Sequence, residues 1–420
     1  MNHNWTPELW MAFPFLGLLL AIAILPIVAH GFWHKLRNQA IVSIFLALPI
    51  LMVYGKHEPQ LLIEQIRDYL SFVILLSSLY TVSGGIHIAG SLKSTPAANT
   101  LLLGIGAVLS NFIGTTGASM VLIRPLLHAN DHRKHHVHLP IFFIFLVSNI
   151  GGALTPLGDP PLFLGFLNGI PFFWTLRLFP VWITAVAILL AVFYFTDRTI
   201  LRREKTPSPS PLPLKKGGED KGEGVVQLKG KRNFFCFAAI LVAMFLPLPY
   251  REAVMITAAV VSVWITPKRY HDANAFSHLP MLEVAIIFLG IFITMVPALQ
   301  LLRMYGSELG VNQPWQFFWA TGGFSSFLDN APTYMTFGAL AQGLRIGGPY
   351  WGIPEKLLMA ISAGAVFFGA MTYIGNAPNF MVRSISQHRG WKMPSFFGYM
   401  LWSAAILLPL FFILTLIFFR

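Results

Sequence analysis

Long apolar runs with few charges follow one another along the chain and predict membrane-spanning helices. The runs cover 9–29, 40–54, 69–88, 139–169, 173–196, 233–249, 252–267, 279–302, 355–385 and 396–419. Several of them approach the ~20 residues that a helix needs to cross the hydrocarbon of a bilayer. We therefore predict an all-α polytopic membrane protein with about ten transmembrane helices.

Two further apolar segments, 100–127 and 315–343, are interrupted at their centres by small and polar residues. The central polar residues include Ser110, Asn111 and Thr115 in the first and Asp329, Asn330 and Thr333 in the second. Each arm has about ten residues, which spans roughly half a bilayer at 1.5 Å per residue. We interpret both as re-entrant helical hairpins, whose irregular tips are tolerated at that depth only inside protein or beside a water-filled cavity. The alternative is an ordinary span with a glycine-rich kink.

Composition excludes a soluble enzyme, because 55% of the residues are apolar and only 11% are charged, against about 25% charged in soluble domains. The net charge is +12, and the basic residues lie between the apolar runs. This distribution fits the positive-inside rule rather than nucleic-acid binding. With both hairpins re-entrant and both chain termini outside, the predicted cytoplasmic segments hold 20 of the 29 lysines and arginines.

The order of elements predicts an inverted repeat. Three spans, a hairpin and two spans make up 1–196, and the same series makes up 233–420. Each half crosses the membrane an odd number of times, so the second half is inverted, as in many secondary transporters. The segment between them, 197–232, is rich in proline, glycine and charge, and we predict a disordered cytoplasmic linker.

Two spans carry matching helix breaks. LGDPPLF in 139–169 aligns with IGNAPNF in 355–385, which pairs Asp159 with Asn376. Proline disrupts the preceding helical turn and glycine lets the chain unwind. Backbone carbonyls freed at such breaks can coordinate Na⁺. The hairpin tips are aligned through LSNF and LDNA, which sets Ser110-Asn111 against Asp329-Asn330.

Asp159 and Asp329 are the clearest acidic residues within the predicted membrane segments. An ionisable residue inside a membrane is costly, and it is a functional-site hypothesis by default. The alternative interpretation is that each aspartate caps a half-helix, since Asp is a favoured N-cap. The two interpretations are compatible.

Four stretches, SNFIGTTGAS, TPLGDPPLF, LDNAPTYMTF and YIGNAPNFMV, resemble signatures of the ion transporter superfamily with its citrate transporter-like domain. That superfamily includes citrate and dicarboxylate carriers, arsenite exporters and D-type bacterial sodium/proton antiporters. An acid in TPLGDPP together with one in LDNAP is most similar to the D-type antiporters. The carboxylate carriers typically bear Ser-Asn-Thr at both tips, from which Ser110-Asn111-Phe112 and Asp329-Asn330-Ala331 depart.

The resemblance implies an arrangement of domains. The scaffold would comprise 1–99 and 233–314, and the hairpins and broken helices in 100–196 and 315–420 would form the transport domain. The hairpin at 100–127 would open inward and that at 315–343 outward. The resemblance also implies a homodimer formed through the scaffold. The chain length and the short loops suit the inner membrane of a bacterium, where membrane lipid would surround the protein.

These residues predict a secondary transporter, a sodium (or lithium)/proton antiporter, and neither an enzyme nor a protein that needs a cofactor. Burial favours the protonated form of a carboxyl group, so Na⁺ and H⁺ would compete for Asp159 and Asp329, which would exchange protons. Candidate oxygen ligands for the ion come from side chains of both halves: Ser110, Asn111, Thr115, Thr155, Asn330, Thr333 and Asn376. The Na⁺ itself is assigned to Asp159, Asn111, Asp329 and Asn330.

Other readings stay open. A sodium-coupled di- or tricarboxylate carrier would need a positive counter-charge, for which Arg124 and Arg383 are the candidates, although both can instead reach lipid headgroups. A metalloid oxyanion exporter is a third option within the superfamily. The histidine-rich run 128–138 is interpreted as a solvated basic loop, with a pH sensor as the alternative.

Overall fold

The computed structural model describes residues 5–90, 93–204, 227–274 and 276–420 and is almost entirely helical. The α-helices of the first half are α1 Phe13–Val28, α2 His30–Trp33, α3 Leu36–His57, α4 Pro59–Gly84, α5 Pro96–Asn130, α6 His138–Leu146, α7 Pro160–Leu167 and α8 Phe179–Arg203. Those of the second half are α9 Asn233–Ala243, α10 Tyr250–Ile265, α11 Lys268–Ala273, α12 Leu279–Tyr305, α13 Pro314–Ser325, α14 Asn330–Gly343, α15 Glu355–Phe368, α16 Ala377–His388 and α17 Phe396–Phe418.

Short 3₁₀ helices connect several of these elements, at Leu9–Ala12, Ile150–Leu154, Phe172–Leu178, Gly306–Leu309 and Gly369–Met371. Two strands, β1 His87–Ala89 and β2 Gln227–Lys229, form one antiparallel pair with His87 opposite Lys229. This pair joins the residues after α4 to those before α9.

Six helical stretches in the described part of the chain are long and apolar enough to cross a membrane. They are Leu9–Pro26, Leu36–His57, Pro96–Asn130, Phe172–Arg203, Leu279–Leu309 and Phe396–Phe418. This confirms an all-α, multi-pass membrane protein. The figure of about ten crossings stays a prediction.

Some boundaries differ from the hydropathy prediction. The short run 40–54 is the centre of a 22-residue helix, and α4 begins ten residues before the predicted span 69–88. The predicted span 233–249 contains an α-helix of only 11 residues. Hydropathy records where apolar residues are dense, whereas α3 and α4 continue through charged residues and α9 ends shortly before Pro247 and Pro249.

The first interrupted segment folds back on itself. Asn99 and Asn130 lie at its two ends and exchange hydrogen bonds of 3.1 and 3.0 Å, whereas a straight helix would separate them by ~46 Å. The reversal occurs at Gly114, whose φ of 76° and ψ of 154° are not helical. Positive φ is accessible to glycine at little cost, which explains why the turn occurs at this residue.

The second interrupted segment also reverses, between α13 and α14. The rings of Phe324 and Phe337 lie 5.7 Å apart on the two arms, although 13 residues of continuous helix would separate them by ~20 Å. Both segments are therefore antiparallel helical pairs with their tips at Gly114 and Asp329.

Both long predicted spans are broken at the glycine and proline positions. The first continues from α6 through a 3₁₀ turn to Thr155, which is extended, and α7 begins at Pro160. The second repeats this course from α15 to Thr372, with α16 beginning at Ala377. Asp159 and Asn376 occupy the N-cap positions of the two half-helices in the same extended conformation.

Hydrogen bonds correct the alignment of the two hairpin tips. Thr155 and Thr372 occupy equivalent positions in the two matching helix breaks. Thr155 Oγ1 donates to the carbonyl of Asn111. In the same way, Thr372 Oγ1 donates to the carbonyl of Ser326. Asn111 therefore matches Ser326, not Asn330. In this register Gly114 matches Asp329 and Thr115 matches Asn330. Sequence alignment missed the shift because the two tips share few identical residues.

Regular structure extends into both ends of the predicted linker 197–232. Helix α8 continues to Arg203, and β2 lies at Gln227–Lys229. Residues 205–226 lie outside the described residues, so disorder there stays a prediction.

Candidate functional site

Three elements converge on the carboxylate of Asp159, which lies at the first helix break and is 1% exposed. Thr115 Oγ1, from the first hairpin tip, donates to its Oδ1 at 2.8 Å. Asn330 Nδ2, from the second tip, donates to Oδ2 at 2.5 Å. Asn376 Nδ2, from the second helix break, donates to Oδ1 at 3.1 Å. The breaks and tips of both halves therefore meet at one centre.

This centre follows the repeat of the two halves. Thr115 and Asn330 occupy matching positions on the two tips and donate to the two oxygens of one carboxylate. Asn376 is the counterpart of Asp159 itself. The site thus has a nearly symmetric frame with a single acid at its centre, and the second acid, Asp329, occupies the position that Gly114 holds in the first half.

The donors around Asp159 are neutral, and an acceptor next to it lacks a partner. Hydroxyl and amide groups contact the carboxylate, and no salt bridge reaches it within the described chain. Asn330 turns its amide nitrogen toward Asp159, and its own Oδ1 is buried without a hydrogen bond. An unsatisfied buried acceptor costs about 1–3 kcal/mol, so this oxygen is a place where a cation or a donor would be stabilised.

Asp329 has a different environment from Asp159. Its Oδ1 accepts a hydrogen bond of 3.1 Å from the backbone amide of Ala331 and so caps α14. The capping interpretation therefore holds for Asp329, whereas the carboxylate of Asp159 makes no cap hydrogen bond. Asp329 is partly exposed and lines the same small cavity as Thr115 and Asn376.

That cavity has a volume of about 50 Å³. The hairpin tips and helix breaks form one wall, and apolar residues of α4 and α12 form the other; the latter include Leu76, Leu79, Val284 and Phe288. No lysine or arginine is among its lining residues. Since a water molecule occupies about 30 Å³ in the liquid, the cavity holds one or two waters or a small ion.

Asp159 and Asn330 are not among the residues that line this cavity, although Thr115 and Asn376, which donate to Asp159, are. Several other predicted ligands also do not line it. Asn111 donates to the carbonyl of Gly151 at 2.7 Å and accepts from the amide of Leu154 at 2.7 Å. Ser110 donates to the carbonyl of Val147, and Thr155 to that of Asn111. These side chains fasten the first hairpin to the first helix break.

Thr333 also lies outside the lining, and its hydroxyl donates to the carbonyl of Asp329, one turn earlier, at 2.9 Å. Arg124 and Arg383 are not among the lining residues either. Arg124 makes a 3.4 Å contact with the carbonyl of Met120. The guanidinium of Arg383 lies 4.5 Å from the ring centre of Tyr373, a cation–π geometry.

Sequence reasoning missed two asparagines behind the site. Asn149 and Asn379 are both fully buried. Asn149 Nδ2 donates to Asn379 Oδ1 at 2.7 Å, and Asn376 Nδ2 lies 3.2 Å from Asn149 Oδ1. Their signal was available: each is an amide side chain within an apolar run, in SNIGG and in NAPNF.

A second buried polar cluster lies at the open end of the first hairpin. Asp197 is fully buried and forms salt bridges with Arg133 and, at 2.9 Å, with His138. Asn99 Nδ2 donates to Asp197 Oδ2 at 3.1 Å. The sequence predicted a solvated basic loop over 128–138. Only part of this segment is solvated, because two of its basic residues, Arg133 and His138, are buried against α8.

The fold, with its apolar helices, folded-back segments and broken helices around a buried polar centre, is that of a membrane transport protein. The sequence profile of a family described as "Putative citrate transport" matches residues 4–250 and 246–419. Because these matches cover nearly the whole chain, the protein belongs to this citrate transporter-like family. The comparison with curated proteins returns no match.

Proposed function

We propose that this protein is a secondary active transporter that exchanges a small monovalent cation, Na⁺ or its surrogate Li⁺, for protons at Asp159 and Asp329. The observation that carries the proposal is the buried Asp159 carboxylate, which contacts only neutral donors and lies beside an unpartnered amide oxygen.

Charge favours a cation as the substrate. A buried carboxylate without a positive partner is strongly disfavoured and becomes either protonated or paired. Asp159 has no cationic side chain in contact, so a proton or a transported ion takes that role. Because both occupy the same carboxylate, binding of one releases the other, and this competition is sufficient chemistry for exchange.

The ligand set supports a hard cation, which prefers oxygen ligands. Asp159 and Asp329 offer carboxylate oxygens, Thr115 a hydroxyl, and Asn330 and Asn376 amide oxygens. All five side chains belong to the two tips and the two breaks. The resemblance to the D-type antiporters supports the same substrate.

Size and charge argue against a carboxylate anion in this cavity. Pockets for drug-sized ligands have volumes of about 300–1,000 Å³, far above the 50 Å³ between the tips and α4. Two aspartates would also repel a carboxylate. The family description nevertheless favours a second candidate, a sodium-coupled citrate-like carrier, and a metalloid oxyanion exporter is compatible with the same family. Either anion carrier requires Arg124 or Arg383 to move to the site.

The membrane arrangement is part of the proposal. We place the first hairpin as opening to the cytoplasm and the second as opening outward, with both termini outside and the linker 197–232 inside. The excess of basic residues in the inside segments supports this orientation. The chain length and short loops support a bacterial inner membrane with surrounding lipid, and the resemblance supports a homodimer formed through 1–99 and 233–314.

Purified protein in liposomes with a trapped pH dye tests the proposal. Pulses of NaCl, LiCl, KCl and sodium citrate are added in turn. We expect proton movement with NaCl and LiCl but not with KCl, and loss of that response in D159N. D272N is the matched control, because Asp272 is exposed on α11. Citrate-dependent Na⁺ uptake without a response to chloride salts would instead establish the carboxylate carrier.

A further inference from the structure

A chain of three asparagine side chains leads away from Asp159 into the protein. Asn376 Nδ2 contacts Asn149 Oδ1 at 3.2 Å, and Asn149 Nδ2 donates to Asn379 Oδ1 at 2.7 Å. All three are at least 97% buried. The chain crosses between the halves twice, since Asn149 belongs to the first half and the other two belong to the second.

The orientation of this chain is set at its far end. Asn379 Nδ2 donates to the carbonyls of Gly369 at 2.7 Å and Thr372 at 2.9 Å. Carbonyl oxygens only accept hydrogen bonds, so the amide nitrogen of Asn379 must face them. Its oxygen is thereby turned toward Asn149.

The same reasoning fixes the next side chain. Asn149 Nδ2 contacts Asn379 Oδ1 and also the carbonyl of Ile144 at 2.8 Å. Both are acceptors, so the nitrogen of Asn149 faces them and its oxygen faces Asn376.

At Asn376 the amide nitrogen then faces three acceptors. They are Asn149 Oδ1, the carbonyl of Ser148 at 3.2 Å, and Asp159 Oδ1 at 3.1 Å. A flipped Asn376 would set its oxygen against three oxygens. In the observed orientation its carbonyl oxygen points away from Asp159, and Asn376 lines the cavity.

We infer that Asn149 and Asn379 are positioning residues for ion exchange, which orient Asn376 so that its amide nitrogen holds Asp159 and its oxygen serves the transported cation. The inference rests on the proposed function and extends it to two residues outside the cavity lining. Removing Asn149 takes away one of the three acceptors that face Asn376 Nδ2, and removing Asn379 takes away one of the two acceptors that orient Asn149. Either loss loosens Asn376 and weakens both its hydrogen bond to the carboxylate and its oxygen ligand.

Supporting partners of ligating groups typically change metal affinity by about 10–100-fold when they are removed. We therefore expect N149L and N379L, which keep the number and branching of the side-chain heavy atoms, to raise the Na⁺ concentration for half-maximal exchange at least tenfold. The maximal rate should change less than twofold. Na⁺ and protons compete for one carboxylate in the proposed exchange, so the pH of half-maximal exchange should also change in both variants.

The control is N168L. Asn168 lies at the other end of α7 from Asp159 and bonds to the carbonyl of Leu164 at 2.8 Å, outside the asparagine chain. It should keep both the Na⁺ dependence and the pH profile of the unaltered protein. Exchange is measured in liposomes for all four proteins.

A second measurement guards against poor folding of a variant. The melting temperature of detergent-purified protein is followed as NaCl is increased, with choline chloride as the ionic-strength control. Na⁺ that binds the native state raises the melting temperature in a concentration-dependent way. Only folded molecules show a melting transition, so the measured Na⁺ affinity is that of the folded protein. N149L and N379L should require about tenfold more Na⁺ for the same increase.

Equal Na⁺ dependence and pH profile in N149L, N379L and N168L would overturn the inference while leaving the proposed function intact. If the unaltered protein shows neither Na⁺-dependent proton movement nor a Na⁺-specific melting shift, the proposed function itself fails, and the inference fails with it.

Discussion

Asn376 donates a hydrogen bond of 3.1 Å to Asp159, and these two residues are each other's counterparts in the two halves of the chain. A repeat that places equivalent positions in contact brings both helix breaks to one point. Because one position is an acid and the other an amide, the pair carries a single charge. Two acids in contact would repel each other unless one kept a proton.

The first prediction concerns the two acids. D159N and D329N should each lower Na⁺-dependent proton movement in liposomes by at least a hundredfold, because each removes a group that exchanges a proton. Asparagine is as good an N-cap as aspartate, so D329N should keep α14 capped and its melting temperature near that of the unaltered protein. Normal exchange in either variant would remove that residue from the mechanism.

The second prediction separates the threonine that contacts the acid from one that does not. T115V removes a hydroxyl that donates to Asp159 at 2.8 Å, and hydrogen bonds to charged groups contribute about 1.5–3 kcal/mol. We expect T115V to need a higher Na⁺ concentration for half-maximal exchange and to show an upward shift of the pH of half-maximal exchange. T333V removes only a hydroxyl that bonds to backbone one turn earlier and should change neither. A larger effect in T333V would restore the sequence-based assignment of Thr333 as an ion ligand.

The third prediction concerns the turn of the first hairpin. G114A places a side chain at φ 76° and ψ 154°, with its Cβ 3.3 Å from the carbonyl oxygen of Leu157. Such a backbone conformation costs a non-glycine residue about 1–3 kcal/mol, so the melting temperature and the exchange rate should both fall. G323A, on α13 with open space around the added Cβ, should be neutral or slightly stabilising. Equal melting temperatures for the two variants would contradict this account of Gly114.

The fourth prediction concerns the buried ion pair at the open end of that hairpin. D197N leaves Arg133 buried without its charge partner, and breaking a buried pair in this way costs about 3–5 kcal/mol. We expect a large fall in the melting temperature. Replacing both partners, in the double variant D197L/R133M, should recover part of it, because well-packed apolar residues replace buried pairs at little cost. A double variant no more stable than D197N would argue against an unpaired charge as the cause.

The fifth prediction concerns pH and a surface pair outside the membrane-spanning helices. Partial burial acts to raise the pKa of Asp131, but hydrogen bonds from Arg389 and Trp391 outweigh it and hold that pKa below its ordinary value. A carboxyl with a lowered pKa stabilises the fold above its unfolded pKa of about 4 and loses this contribution as pH falls through the lowered value. Exposed pairs contribute at most about 1 kcal/mol.

We therefore expect D131N to lower the melting temperature slightly and by a constant amount between pH 5 and 8, with the difference shrinking below about pH 4. Both proteins should carry H128Q, because His128 Nδ1 lies 3.8 Å from the Asp131 carboxylate and is a second ionisable side chain beside it. A difference that grows on acidification toward pH 4 would contradict the assigned sign.

The sequence by itself determined the class of the protein, the two helix breaks and the acid at their centre. Apolar density and the positions of proline and glycine are local properties of the sequence, and their effect on helices does not depend on tertiary contacts. Asp159 was identifiable for the same reason, since a charge in an apolar run is unusual whatever surrounds it.

Only the tertiary structure decided which side chains contact that acid. Ser110, Asn111, Thr155 and Thr333 look like ligands by residue type, yet their hydrogen bonds are used by nearby backbone. Asn149 and Asn379 are separated by 230 residues along the chain and are hydrogen-bonded to each other. Hydropathy and motif patterns describe neighbours along the chain, whereas the direction of a hydrogen bond depends on which groups packing brings within 3 Å of each other.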